Sequence, residues 1–223
     1  MNFIELQKKK GFICNNRVEL LENYKKALEI IPATQIMIQD IIPGPSENLY
    51  SACFMYSKDR AHVQLVCRRK RQHPIHFGNA TTFAETVKNE ELIEISEKIL
   101  REVEYEGVCE VEYKYDNRDG KYKFLEINTR TWKWHSISIK SNSPFLMSYY
   151  NKCYGLKEII NLEYEDACFK HIITDIPISF KMILMGIYKK SIIKNIQYAT
   201  WNKKDIIPAI MELLILPYLI FKR

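Results

Sequence analysis

Residues 110–128 constrain the fold of this chain more than any other stretch. Glu110-Val111-Glu112-Tyr113-Lys114-Tyr115 and Lys121-Tyr122-Lys123-Phe124-Leu125-Glu126-Ile127-Asn128 flank Asp116-Asn117-Arg118-Asp119-Gly120. Two alternating runs around an Asp/Asn/Gly cluster spell a β-hairpin. Side chains alternate faces along a strand, so Glu110, Glu112 and Lys114 share one side, and Tyr122, Phe124, Glu126 and Asn128 share a side on the return strand. The loop length sets Glu112 opposite Glu126, with Cβ atoms about 5 Å apart. Glu126 and Asn128 are then separated by roughly 7 Å along their strand. Three hard oxygen ligands at such distances suit Mg²⁺, above all when phosphate oxygens complete its octahedron. Leu125 and Ile127 make the opposite face apolar, and Thr129-Arg130-Thr131-Trp132 sets a fixed cation beside the carboxylates. The alternative is a half-exposed hairpin whose carboxylates simply face solvent.

The 223 residues suffice for one sizeable domain or two small lobes, and 47% hydrophobic content with 14 tyrosines implies a packed chain. A net charge of +6 fits a partner bearing phosphates without separating ATP from nucleic acid. Seven glycines form neither G-x-G-x-x-G nor G-x-x-x-x-G-K, which excludes the Rossmann and P-loop patterns. The six cysteines contain no C-x-x-C and no zinc spacing, so a reducing, cytoplasmic setting is expected. The first residues lack the apolar core of a signal peptide. Residues 206–221 are almost wholly apolar, yet Pro208, Glu212 and Pro217 interrupt them. The run is shorter than the roughly 20 residues of a spanning helix. No membrane span is expected, and a buried or surface-docked helix fits, with peripheral membrane contact through Lys222 and Arg223 as the alternative.

Along the chain, residues 1–13 read as a strand. Asn16 and Glu19 form a capping box for a helix ending at Pro32, and residues 34–42 read as a strand leaving through Pro43-Gly44-Pro45-Ser46. Residues 50–56 and 61–69 read as antiparallel neighbours, 72–82 as a loop, and 83–103 as a helix. Further helices are expected over 181–195 and 206–220. Strands in hairpins with helices across them give an α+β pattern.

Leu125-Glu126-Ile127-Asn128-Thr129-Arg130, with Glu112 on the partner strand, resembles the metal-binding hairpin of ATP-grasp carboxylate–amine ligases. Ile36-Met37-Ile38-Gln39-Asp40-Ile41-Ile42-Pro43-Gly44 is similar to the strand and hinge that hold adenine in that family. Arg68-Arg69-Lys70-Arg71-Gln72-His73-Pro74 is similar to its basic strand. Tyr198-Ala199-Thr200-Trp201-Asn202-Lys203-Lys204-Asp205-Ile206-Ile207-Pro208 resembles the tail of its D-aspartate ligase-like branch. Thr129 stands where that branch usually has proline.

The resemblance implies an α+β ATP-grasp fold, an antiparallel sheet with packed helices, incomplete at its N-terminal end. Residues 1–43 would be the remainder of the first nucleotide-binding lobe. Residues 44–160 would be the second lobe with the hairpin, and 161–223 a mostly helical extension. The implied cofactors are ATP and Mg²⁺ or Mn²⁺, with small carboxylate and amine substrates. The implied metal ligands are Glu112, Glu126 and Asn128, and Arg71 and Arg130 are the implied catalytic cations. Lys10, Gln39, Asp40, Ile41, Ile42, Glu47 and Lys70 would contact the nucleotide. The chain would then be a fragment, a degenerate copy, or a split-gene partner for which a separate chain supplies the family's N-terminal domain.

Two other classes stay open, a non-catalytic nucleotide-binding or regulatory module and a basic nucleic-acid-binding protein. The second needs stacking aromatics interleaved with Arg68–Arg71, and none stand there, so no nucleic-acid partner is expected.

Overall fold

A computed structural model describes residues 11–75, 78, 80–191 and 194–221. The chain divides into two compact units, Met1–Ile41 and Ile42–Arg223. The first holds helix α1 (Arg17–Leu28). Half of the expected capping box forms, and the Glu19 carboxylate takes the N–H one residue before the cap. Asn16 Oδ1 accepts from the Glu19 backbone N–H at 2.9 Å, and the Glu19 carboxylate accepts from the Asn15 N–H at 2.9 Å. The strand expected over 34–42 does not form. Residues 33–35 are a 3-10 turn and 36–41 take no regular shape, because among the described residues no neighbouring strand pairs with them. The strand expected at 1–13 falls mainly outside the described residues.

The second unit is built on a seven-stranded sheet of order β5-β4-β1-β2-β3-β6-β7. Its long members are β1 (Leu49–Ser57), β2 (Arg60–His73), β3 (Ala80–Thr86), β4 (Gly107–Asp116) and β5 (Lys121–Asn128). All of these pair antiparallel. The short β6 (Cys168–Lys170) extends the sheet antiparallel to β3, and β7 (Ile196–Tyr198) lies parallel to β6.

Strand β1 reads Leu-Tyr-Ser-Ala-Cys-Phe-Met-Tyr-Ser and is buried over its last seven residues, as befits a central strand. Helix α2 (Glu90–Glu102) packs on β1 and β2 through an apolar side that includes Leu92 and Leu100, both fully buried. Helix α3 (Ile137–Lys140) and helix α4 (Phe145–Cys153) follow the hairpin, and α4 packs on β1, β2 and β4. Trp132 stacks edge-on against Phe145 at 5.3 Å and closes that part of the core.

Two expectations are corrected here. The segment 80–86 is a strand rather than loop and helix, since Thr81, Thr82, Phe83 and Thr86 suit a pleated surface and find partners in β2 and β6. The helix begins only after Asn89, whose side chain accepts from the Leu92 N–H at 3.0 Å. The helix placed over 181–195 lies earlier, as α5 (Ile172–Leu184), and stops at Gly186, which holds φ +67°. The last helix, α6 (Ile207–Phe221), falls where the sequence put it.

Helix α5 is tied to the sheet by a buried ion pair. Arg71 Nε and Nη2 donate to Asp175 at 2.7 and 2.9 Å, and the Thr82 hydroxyl donates to the same carboxylate at 3.0 Å. Arg71 and Asp175 are 3% and 1% exposed, so removing one strands the other's charge. Asp175→Ala is therefore expected to lower the unfolding free energy by about 3–5 kcal/mol, read as a fall in the urea midpoint.

Candidate functional site

The hairpin gathers four side chains on one face of the sheet, in two cross-strand pairs. Glu112 pairs with Glu126 and Glu110 pairs with Asn128 across β4 and β5. On its other side Glu112 pairs with Ser51 of β1, and Ser51 with Cys67 of β2. Arg69, two residues beyond Cys67, therefore points to the same face, and its Nη2 reaches Glu112 Oε2 at 3.4 Å.

The pairing of Glu112 with Glu126 matches the loop-length expectation, but by another route. The turn pairs Asp116 with Lys121, and a bulge then leaves Leu125 without a partner between Phe124 and Glu126. That extra residue corrects one expectation. Tyr122 and Phe124 do not share a side with Glu126 and Asn128. Tyr122 meets Tyr50 and Asn89, Phe124 meets Tyr113, and Leu125 is exposed rather than buried.

Three carboxylates so close repel one another, and the structure offsets this with donors. Asn128 Nδ2 donates to Glu112 Oε1 at 3.0 Å, to Glu110 Oε2 at 3.3 Å and to Glu126 Oε1 at 3.4 Å. Its Oδ1 accepts from Arg130 Nη2 at 3.1 Å. Glu110 is 2% exposed, and its Oε1 is buried without a hydrogen-bond partner. Burial first, and the Glu112 charge second, push the Glu110 carboxyl up to about 7. The hairpin thus holds an excess of oxygen acceptors that one more cation would satisfy.

Glu112, Glu126 and the amide oxygen of Asn128 are hard donors of the kind Mg²⁺ takes, and the orphaned oxygen of Glu110 adds to the local demand for positive charge. Among the described residues no three His, Cys, Asp or Glu side chains form a metal cage of their own. That agrees with the way Mg²⁺ is commonly held, by one or two carboxylates with the rest of its shell from water and substrate phosphates.

Among the other expected residues, two have partners of their own in the sheet. Arg71 is held by Asp175 and stacks over Phe83 at 4.3 Å, and Lys70 pairs with Glu85 at 3.6 Å. Neither is brought to the hairpin carboxylates by these contacts. Bulges in the β2–β3 pairing, on either side of Arg71, redirect these side chains. Glu47 is buried in the 3-10 turn Ser46–Asn48, and its carbonyl accepts from Arg68 Nε at 2.7 Å. Gln39, Asp40 and Ile41 are exposed in the first unit, Ile42 is half-buried in the second, and Lys10 lies outside the described residues. Sequence reasoning missed Glu110 and Arg69 as members of this cluster. Strict alternation already put Glu110 beside Glu112, and only the β1 register reveals Arg69.

Residues 10–142, more than half of the chain, match the family model described as carbamoyl-phosphate synthase L chain, ATP binding domain. The chain belongs to that family and, with it, to the ATP-grasp superfamily. Among solved structures, the biotin carboxylase domain of Hydrogenobacter thermophilus 2-oxoglutarate carboxylase, in complex with MgADP, ADP and bicarbonate, aligns with TM-score 0.54 and 16% identity. That alignment covers 68% of this chain and 35% of that one, and it supports the same fold. The phosphoribosylaminoimidazole carboxylase ATPase subunit from Aquifex aeolicus aligns with TM-score 0.45 and 13% identity, over 67% of this chain and 52% of that one. The complete pyruvate carboxylase of Rhizobium etli aligns with TM-score 0.44 and 18% identity, over 64% of this chain and 13% of that one. The chain thus spans about half or less of each of these structures.

The carboxylate cluster generates a pH prediction for the metal-free chain. A carboxyl whose folded value is raised binds more protons folded than unfolded, so its contribution to stability is present at low pH and is lost as pH rises from its ordinary value through about 7. Thermal unfolding in chelator is expected to show lower stability at pH 7.5 than at pH 5. Glu110→Gln should flatten that difference, and an unchanged slope in the variant would assign the dependence to other groups.

Proposed function

We propose that this chain carries the ATP- and Mg²⁺-binding part of a ligase that joins a carboxylate to an amine. The observation that carries the reading is the opposed pair Glu112 and Glu126, flanked by Asn128 and by two cations, Arg69 and Arg130. Membership of an ATP-binding family and of the ATP-grasp superfamily supports it. Glu112, Glu126 and Asn128 would hold Mg²⁺, and Mn²⁺ would suit the same oxygen ligands. A bound divalent ion supplies neutralisation of the phosphate oxygens during transfer.

In the proposed reaction a substrate carboxylate oxygen attacks the γ-phosphorus of ATP. ADP leaves and an acyl phosphate remains. The amine nitrogen then attacks the acyl carbon, inorganic phosphate leaves, and an amide bond has formed. Arg130 presents a planar fork of donors suited to phosphoryl or acyl oxygens, a positioning and electrostatic role. Gln39, Asp40, Ile41, Ile42, Glu47, Lys10 and Lys70 are assigned to the nucleotide on resemblance. The same holds for the division into 1–43, 44–160 and 161–223. In this reading the acid and amine pockets are contributed by protein beyond the matched region, on this chain or a second one.

One observation favours a second reading, a nucleotide-binding module without turnover. Arg71, assigned by resemblance to the transferred phosphate, is 3% exposed and bound by Asp175. A cation so committed stabilises structure before it stabilises a transition state.

Calorimetric titration with a non-hydrolysable ATP analogue, with and without Mg²⁺, tests both. Mg²⁺-dependent binding that weakens at least tenfold in Glu126→Ala is expected. Metal-independent binding, or binding indifferent to that substitution, would remove the hairpin from the nucleotide site. Phosphate release from ATP with candidate acids, in the presence of any partner chain, separates the ligase from the silent module.

A further inference from the structure

The two C-terminal helices wear their apolar residues on the outside. Residues 207–221 of α6 contain one charged side chain, Glu212, and it faces the protein. Its carboxylate lies 2.5 Å from His171 Nε2 and accepts from the Thr200 hydroxyl at 2.7 Å. Ala209 is buried and Leu216 half-buried, so positions 209, 212 and 216 mark the inner stripe of the helix. The outer stripe is Ile207, Met211, Leu214 and Tyr218, at helical spacing, with Leu214 67% exposed. A water-facing helix ordinarily shows the reverse arrangement.

Helix α5 repeats the pattern. Ile178, Met182 and Asp175 are buried, while Ile176, Phe180, Ile183 and Leu184 form an exposed stripe at i, i+4, i+7 and i+8. His171, at the N-cap position of α5, and Glu212 of α6 join the two helices directly. The segment between them carries Trp201, 44% exposed.

The same region is rich in lysine. Lys181, Lys189, Lys190, Lys194, Lys203 and Lys204 are exposed, and among the described residues none of them pairs with a carboxylate. The three acidic groups within residues 172–221 are committed. Asp175 is taken by Arg71, Glu212 by His171, and the Asp205 carboxylate accepts from the Ile207 N–H at the start of α6.

We infer that α5, α6 and the segment between them dock on a membrane surface bearing anionic lipids. Charge selects this occupant over a second copy of the chain. A symmetric contact through this face would set lysines against lysines with no free carboxylate between them, whereas an anionic leaflet offers both apolar depth and negative charge. The mode is interfacial. No helix among the described residues is long and apolar enough to cross a membrane. The 15 residues of α6 reach about 22 Å at 1.5 Å per residue, short of a hydrocarbon core about 30 Å thick. Trp201 and Tyr218 are amphipathic rings suited to the headgroup level.

The test is sedimentation of the full chain with vesicles of phosphatidylcholine alone and of phosphatidylcholine mixed with phosphatidylglycerol. Binding to the anionic vesicles is expected, weakened at least tenfold by about 0.5 M salt. The pair Phe180→Ser with Leu214→Ser, and separately the pair Lys189→Glu with Lys190→Glu, should each cut binding at least tenfold. All four positions are exposed, so melting temperature and circular dichroism should stay unchanged. Trp132 and Trp134 are buried, so a blue shift of tryptophan emission on adding anionic vesicles reports Trp201. The inference is overturned if neither vesicle is bound, or if both variants bind as the parent does. It is equally overturned if the chain is a dimer that Leu214→Ser dissociates while vesicles leave it in solution, which would give this face to a second copy.

Discussion

The register of β1 is the constraint on which the candidate site rests. Ser51 pairs with Cys67 on one side and with Glu112 on the other, and that single alignment brings Arg69 of β2 to a hairpin more than forty residues away in sequence. Because side chains alternate with a period of two, a slip by one residue would send the carboxylates to the face covered by α2. Burial of β1 over its last seven residues makes such a slip costly, so the core fixes which way the site faces.

The cluster itself is held against its own electrostatics. Three carboxylates meet with one amide and one guanidinium as the donors that restrain them. Burial of Glu110 favours its protonated form, and any added cation would favour the ionised one. The site is therefore strained toward positive charge by the backbone geometry that creates it. A divalent ion carrying phosphates would relieve that strain in one step.

Much of this was legible in the sequence because it is local. Alternation and turn residues gave the hairpin, Asn16 and Glu19 gave the first helix, and the facing of Glu112 and Glu126, though expected, rests on a bulge the alternation did not contain. The α+β pattern followed from the order of strands and helices, and the ATP-grasp class from the resemblance of the hairpin, hinge, basic strand and tail. What escaped is non-local. Strand β3 escaped because its threonines sit in a polar stretch and its partners lie in β2 and β6. The burial of Arg71 depends on Asp175, 104 residues further on. The contribution of Arg69 depends on a strand between it and the hairpin. No window of sequence contains both members of such pairs.

The bulge at Leu125 gives backbone shape a meaning separate from residue identity. On its turn-proximal side the hairpin presents Tyr122 and Phe124 to the face that carries Tyr113, and beyond it presents Glu126 and Asn128 to the acidic row. One extra residue thus lets a single strand serve two opposite faces. In evolutionary terms the site is guarded by the bulge as much as by chemistry. A lineage that kept every residue but smoothed the bulge into regular pairing would set Leu125 opposite Glu112 and turn Glu126 and Asn128 to the other face. Such a descendant would still align convincingly with its relatives while having lost the geometry that the motif stands for.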